Sequence, residues 1–314
     1  MTPPPFVAFL ESHGFVLLLG FYLSMIAVER VLYAVSRPRA YDDANTLASM
    51  GTSALATAIE ALVGLVLPFL LYVSTYDNFR LASPGFAWWT FAVAFLVHET
   101  AYHFDHWATH RIGFLWAFHQ PHHSSERLYF STAARGMAFG TPLLTILLLP
   151  AALAGVHPLT LAAVATLKNM FGIFNHTELV DKLGPLERWV MTPANHRVHH
   201  GRNPRYIDRN YGQVFVFWDR VFGTFEPETE KPEFGLVEPM TSNNPLRIHF
   251  DGWRWLFAKM RSAPDWRSAL ACLWRPPEWK PKARQAQEAI AAPDPLVGRS
   301  AGAPAGRPGA DFIA

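Results

Sequence analysis

Long apolar runs separated by short polar segments set the pattern of this chain, and five apolar stretches can be read along it. Phe15–Val28 ends at Glu29 and Arg30, long side chains suited to snorkel at a membrane interface. Ala54–Tyr76 is long enough to span a bilayer, with Glu60 as its single charge. Phe86–Val97 runs directly into a cluster of histidines. Gly136–Leu167 has no formal charge and is far longer than the roughly 20 residues of one membrane helix. Gly155-Val156-His157-Pro158 reads as a turn inside it, which predicts two helices, the first kinked at Pro150.

A helix that is apolar all round is deeply buried or in lipid. The expected fold class is therefore all-α, an integral membrane helical bundle of about four to five transmembrane helices with a cytoplasmic histidine-rich helical cap. The loop after the first stretch carries Arg30, Arg37 and Arg39, against Arg80 alone in the next, so residues 29–50 are expected in the cytoplasm. Five crossings then put the 98–136 segment and everything after Phe174 on that same side. Three regions follow: residues 1–97 as N-terminal transmembrane helices, 98–275 as a histidine-rich region with a membrane hairpin near 137–174, and 280–314 as an Ala-, Pro- and Gly-rich disordered tail.

Composition agrees with a membrane setting. The chain is 50% hydrophobic and only 17% charged, below the roughly 25% of soluble proteins. A net charge of +2 gives no nucleic-acid footprint. A single cysteine, Cys272, excludes an internal disulfide, an intramolecular CxxC motif and a Cys-ligated cluster from this chain alone. No glycine-rich phosphate loop is present. The first 13 residues lack Lys, Arg and a small-residue cleavage site, which favours a retained first membrane helix over a cleaved leader.

What changes the picture is histidine. The segment His98–Thr132 holds seven of the chain's 14, in HETAYHFDHWATH (98–110) and HQPHH (119–123), and three more stand in NHRVHH (195–200). Imidazole binds Fe, Zn, Cu and Ni near neutral pH. The clusters offer more ligands than the four or so that one zinc ion takes, so two metal ions are expected. On a helix, with residue 98 at zero, Glu99, His103, His106 and His110 fall at about 100°, 140°, 80° and 120°, one stripe about 60° wide. His98 and His103 read equally well as part of a wet helix face. Pro121 is expected to separate His119, ending one helix, from His122 and His123, beginning the next. Thr192-Pro193 reads as an N-cap and first helical residue, and Gly201 as a C-terminal glycine, around a helix of little over two turns that presents His196, His199 and His200. Such a helix is marginal alone. His176, in NHTEL, follows the hairpin and reaches the same side. His13, His157 and His249 are isolated and read as structural.

HWATH, HQPHH and HRVHH, in this order, resemble the histidine boxes of the fatty acid hydroxylase / sterol desaturase superfamily of integral-membrane di-iron enzymes. The similarity covers roughly residues 20–275. It is closest to the alkylglycerol monooxygenase branch, through FHQPHHSSE (118–126), NHTEL (175–179) and HRVHHGRNPRYIDRNYGQVFVFWDRVFGTFEPE (196–228). The resemblance implies metal ligation by His106, His110, His119, His122, His123, His176, His196, His199 and His200. Glu99 and Asp219 match acidic positions, either of which is expected to hold a ligating imidazole in its tautomer. Four positions depart from the family: His103, Trp107, Arg111 and Tyr129, all beside the histidines. They leave the substrate, and the choice between hydroxylation and desaturation, open.

The implied function is a membrane di-iron monooxygenase that hydroxylates a C–H bond of a lipid chain with O₂, with ether-lipid cleavage if it follows the nearest branch. Side chains alone cannot break such a bond, so a metal or cofactor must carry the chemistry; the resemblance implies two iron ions and O₂. An external reductant is also implied: tetrahydrobiopterin, or a cytochrome b5- or ferredoxin-type electron donor. The partners are a lipid substrate in the membrane and that donor, with no nucleic acid; the oligomeric state stays open. A sterol, carotenoid or fatty-acyl hydroxylase or desaturase is the alternative within the same chemistry. A membrane metal-binding or transport protein is the reading from a different class.

Overall fold

The computed structural model describes residues 2–36, 40–63 and 67–280. Arg37, Arg39 and the expected tail beyond residue 280 lie outside the described residues. Among the described residues there are eleven α-helices and no strand: α1 (Pro5–Ser36), α2 (Asp43–Val63), α3 (Leu67–Phe79), α4 (Trp88–Arg111), α5 (Gly113–His123), α6 (Pro142–Leu153), α7 (Pro158–Asn175), α8 (Pro193–His200), α9 (Phe217–Phe222), α10 (Pro245–Arg261) and α11 (Trp266–Ala271).

The first apolar stretch lies within a longer helix than its sequence suggests, the 32 residues of α1. Two helices, α1 and α2, are long and apolar enough to cross a membrane, and α6 is a shorter apolar helix. The second stretch is divided between α2 and α3, with residues 64–66 outside the described residues. The fourth and fifth, within Gly136–Leu167, make the expected hairpin of α6 and α7, with Pro150 inside α6. Its turn requires glycine: Gly155 has φ +85°, and a Cβ there would strike the Ala82 carbonyl. His157 caps α7, its ring nitrogen accepting from the Leu159 N–H at 3.2 Å, which is a structural role. Tyr72, Ala94, Ala151, Val156 and Val164 form a core joining α3, α4, α6 and α7.

Three local expectations need correction. Glu29 does not snorkel. It is fully buried in α1 and accepts from Phe130 N–H (2.9 Å) and Thr177 Oγ1 (2.7 Å), because two polar groups of folded loops substitute for water around its carboxylate. Pro121 does not divide the second cluster. α5 continues to His123 with Pro121 inside it, so His119, His122 and His123 share one helix. The ring lacks only the N–H that would reach Ala117, a loss tolerable in the last turn. Gly201 ends α8 in an extended conformation (φ −73°), not a left-handed one. Glycine is needed there because a Cβ would stand 2.8 Å from the Tyr206 ring.

α4 is continuous from the apolar bundle into the histidine region. α10 crosses α5 so closely that a Cβ on Gly252 would run into the backbone of Ala117. The start of α5 is held in turn by Gly113 N–H to Arg275 O (3.0 Å) and Phe114 N–H to Leu273 O (2.8 Å). Thus α4, α5, α8 and the α6–α7 hairpin all end at one place.

Candidate metal centre

Histidines converge from α4, α5, α8 and the end of α7. His106, His110, His119, His123 and His199 bring one nitrogen each to within 4.8 Å of one another, and so do His122, His176, His196 and His200. The two nests are adjacent: His123 and His200 stack with ring centroids 4.4 Å apart, and the His119 and His122 rings lie at 5.1 Å.

Within the first nest, Nε2 of His119 lies 3.0 Å from that of His106 and 3.1 Å from that of His123, which is 3.1 Å from Nε2 of His199. In the second, His176 Nε2 lies 3.2 Å from His122 and 2.9 Å from His196, and His200 is 3.1 Å from His196. Two nitrogens bound at about 2.1 Å to one ion and subtending a right angle stand about 3.0 Å apart. The spacing is that of ligands around an ion.

Protonation makes the same case. Nδ1–H of His106 donates to Tyr211 O (2.9 Å), that of His199 to Arg209 O (2.9 Å), that of His176 to Gly172 O (2.7 Å) and that of His122 to Arg135 O (3.3 Å). A neutral imidazole has one proton, so these four Nε2 atoms carry lone pairs. His122 and His176 therefore face each other lone pair to lone pair. His110 Nε2 is buried with no hydrogen-bond partner among the described residues. Burial, reinforced by neighbouring imidazoles, pushes the pKa values of His119, His123, His199 and His200 well below the ordinary range, and burial brings His176 down to about 4. Neutral, convergent lone pairs want a cation. An all-imidazole donor set fits first-row transition metals.

The short helix α8 is held by more than any metal. Thr192 caps it by accepting from Asn195 N–H (3.2 Å), and Asn195 Nδ2 donates to Glu187 O and Val190 O. Arg197 forms a two-pronged pair with Glu228, both at 2.8 Å, and donates to Thr177 O and Val180 O. All eight of its residues are buried.

The expected stripe on α4 does not act as a unit. His106 and His110 enter the first nest. His103 is buried against Phe222, ring centroids 5.9 Å apart, and His98 Nδ1 meets Lys168 Nζ at 2.9 Å. Glu99 pairs with Lys168 at 2.7 Å and accepts from Val214 and Phe215 N–H groups. Residues 99 and 110 share an azimuth but stand about 16 Å apart along the axis. Neither acid holds a ligating ring directly. Asp219 accepts from Tyr211 N–H (2.8 Å), Gly212 N–H (2.9 Å) and Thr224 Oγ1 (2.6 Å), fixing the loop whose Tyr211 carbonyl orients His106. Its distance to His103 Nδ1 is 3.9 Å.

The carboxylate beside a nest histidine is one that sequence reasoning missed. Asp208 Oδ1 lies 3.5 Å from His110 Nδ1, and Asp208 Oδ2 lies 3.1 Å from Arg111. Burial works to raise its pKa, but His110 and Arg111 outweigh that and hold it below the usual carboxylate value. Asp208 and Asn210 both have positive φ, a region Asp and Asn tolerate better than most residues. That D-x-N pairing marks a tight turn and carries no sign of the contact with His110. A cavity of 440 Å³ opens on His110, His123 and His199, walled by Trp116, Trp255 and Trp279.

The fatty acid hydroxylase family model matches residues 91–224, which contain all nine histidines. Residues 91–224 thus form a fatty acid hydroxylase domain. The chain is 32% identical over 265 residues to human alkylglycerol monooxygenase, covering 83% of this chain and 59% of that protein. The Caenorhabditis elegans alkylglycerol monooxygenase is 38% identical over 196 residues, 60% of this chain and 37% of that protein. An ornithine lipid hydroxylase from Rhizobium tropici is 28% identical over 207 residues, 62% of this chain and 60% of that one. The chain thus spans under two thirds of the length of these relatives. No solved structure matches it significantly.

Proposed function

We propose that this chain is a membrane-bound monooxygenase that hydroxylates a C–H bond of a lipid chain, and that its nine nested histidines hold two iron ions. The observation that carries the reading is the pair of adjacent nests, in which four rings donate outward to backbone carbonyls and turn their Nε2 lone pairs inward. The irons, when bound, supply the activation of O₂ that side chains cannot. His106, His110, His119, His123 and His199 hold one ion, and His122, His176, His196 and His200 the other. The carbonyls of Tyr211, Arg209, Gly172 and Arg135 hold four of the rings in the ligating tautomer. Asp219 keeps the Tyr211 carbonyl in place, Asp208 orients His110, and Glu99 anchors α4 to the 214–215 backbone. The tryptophan-walled cavity gives the reacting chain a water-poor approach to the first nest.

The alkylglycerol monooxygenase relatives favour an ether lipid as substrate, attacked at the carbon beside the ether oxygen. The ornithine lipid hydroxylase relative supports a second reading, hydroxylation of an acyl chain. In either case the helices cross the bilayer several times with the nests on the cytoplasmic face, and electrons come from tetrahydrobiopterin or a cytochrome b5- or ferredoxin-type donor. Purified protein should contain about two irons per chain and consume O₂ only with both reductant and lipid. Mass spectrometry of products after feeding alkylglycerols, ornithine lipids, fatty acyl lipids and sterols separates the substrates. Stoichiometric zinc with no O₂ uptake would reject the oxygenase in favour of a metal-binding protein.

A further inference from the structure

Helix α10 has a packed side and an exposed side. Ile248, Gly252 and Leu256 face inward, Gly252 against Ala117 of α5 and Leu256 against Ala117 and Cys272, just past α11. Trp255 and Lys259, on this same side, line the cavity that opens on His110 and His123. On the far side, with residue 246 at zero, Leu246, Phe250, Trp253 and Phe257 fall at about 0°, 40°, 340° and 20°, a single apolar row. Leu246 is 58%, Phe250 42% and Phe257 51% exposed, although each is a residue that water disfavours. Exposed Arg247, Arg254 and Arg261 follow at about 100°, 80° and 60°, a basic row along the edge of the apolar one.

The next helix repeats the arrangement. In and just after α11, Trp266, Leu270 and Trp274 recur every four residues at 68%, 41% and 57% exposure, beside exposed Arg267 and Arg275. Aromatic rows edged by arginine are the signature of helices lying in a membrane interface, where apolar side chains enter the acyl boundary and cations meet anionic headgroups. Continuity with a candidate membrane helix supports this. α10 starts against α2, where a Cβ on Gly51 would stand 2.7 Å from the Pro245 ring. α2 is one of the two helices long enough to cross, and its end beyond this contact leaves Leu62 and Val63 exposed.

We infer that α10 and α11 form an in-plane docking surface for an anionic phospholipid bilayer, so that α10 stands as the wall between the lipid and the cavity leading to the metal nests. This placement stands on the helix faces alone and holds for whichever lipid is the substrate. It assigns the two rows opposite duties: Leu246, Phe250 and Phe257 immerse, while the arginines bind phosphate groups at the surface.

The native thiol, Cys272, is fully buried, which leaves an introduced surface cysteine as the reactive one. The full chain, reconstituted in phosphatidylglycerol-containing vesicles, is spin-labelled at Phe250→Cys or Phe257→Cys. Thr229→Cys serves as the aqueous reference and Leu19→Cys on α1 as the lipid reference. Expected is a ratio of oxygen to water-soluble nickel accessibility several-fold above that at 229 and approaching that at 19. Arg254→Glu with Arg261→Glu should lower the ratio at 257 in anionic vesicles but not in pure phosphatidylcholine. A water-like ratio at both positions, or spin–spin broadening that grows with protein density and marks a second copy, overturns the docking surface. Immersion without lipid-charge dependence overturns its anionic specificity. Metal content and circular dichroism of each variant confirm that the folded protein is being read.

Discussion

At His122 and His176 the ring protons are committed to backbone carbonyls, so the two facing lone pairs repel unless a cation lies between them. His176→Ala should therefore lower iron from about two to about one per chain and reduce lipid hydroxylation at least about 100-fold, past the 10–100-fold typical of an outer partner. Elemental analysis and product formation read both. Asp219→Asn acts one step further out. It removes the charge that holds Tyr211 N–H and Gly212 N–H, so metal affinity should fall about 10–100-fold by competition with a chelator. Glu99→Gln has a different effect, leaving Lys168 as an uncompensated buried charge. It should cost about 3–5 kcal/mol by thermal unfolding, with two irons still bound. Equal stability with lost turnover would move Glu99 into the chemistry. The ligand types were legible in the sequence, because histidine at three- and four-residue spacing is a ligand pattern wherever it folds. Asp208 was not, since nothing between residues 110 and 208 says that they meet.

Among the elements, α5 and α10 carry the closest backbone approach that bears on the site. Gly252→Ala would force a methyl into the Ala117 carbonyl. The expected cost is about 1–3 kcal/mol, and α10 should separate from α5 as amide exchange quickens in both. Unchanged exchange would mean that the crossing relaxes freely. Helix ends were readable where capping chemistry is local, as at Thr192-Pro193. They failed at Pro121 because a proline in the last turn forfeits one bond only, and at Gly201 because the demand for glycine comes from Tyr206, not from its own φ. The shared azimuth of Glu99, His103, His106 and His110 was correct as helix geometry. It misled about partnership because azimuth ignores height.

In the whole molecule the nests make stability depend on pH. His176, with a pKa near 4 in the fold against about 6.5 for the free side chain, stays neutral where the unfolded chain takes up a proton. Protons thus favour the unfolded state, and metal-free protein should lose stability as pH falls from about 6.5 toward 4, with little change above that window. Thermal midpoints at pH 7.5, 6 and 5 check this, and a rise on acidification would contradict neutral nests. Sequence by itself determined an all-helical chain, apolar enough for a membrane, with nine histidines in an order shared with a known superfamily, because periodicity, composition and ligand type are properties of local chain. Tertiary structure alone decided how those histidines divide into five and four, which carbonyls fix four of the rings, and that Glu99 and Asp219 brace backbone instead of imidazole. Those outcomes depend on distances between segments far apart in the chain, set by how α4, α5, α7 and α8 pack end to end, and no local pattern encodes them.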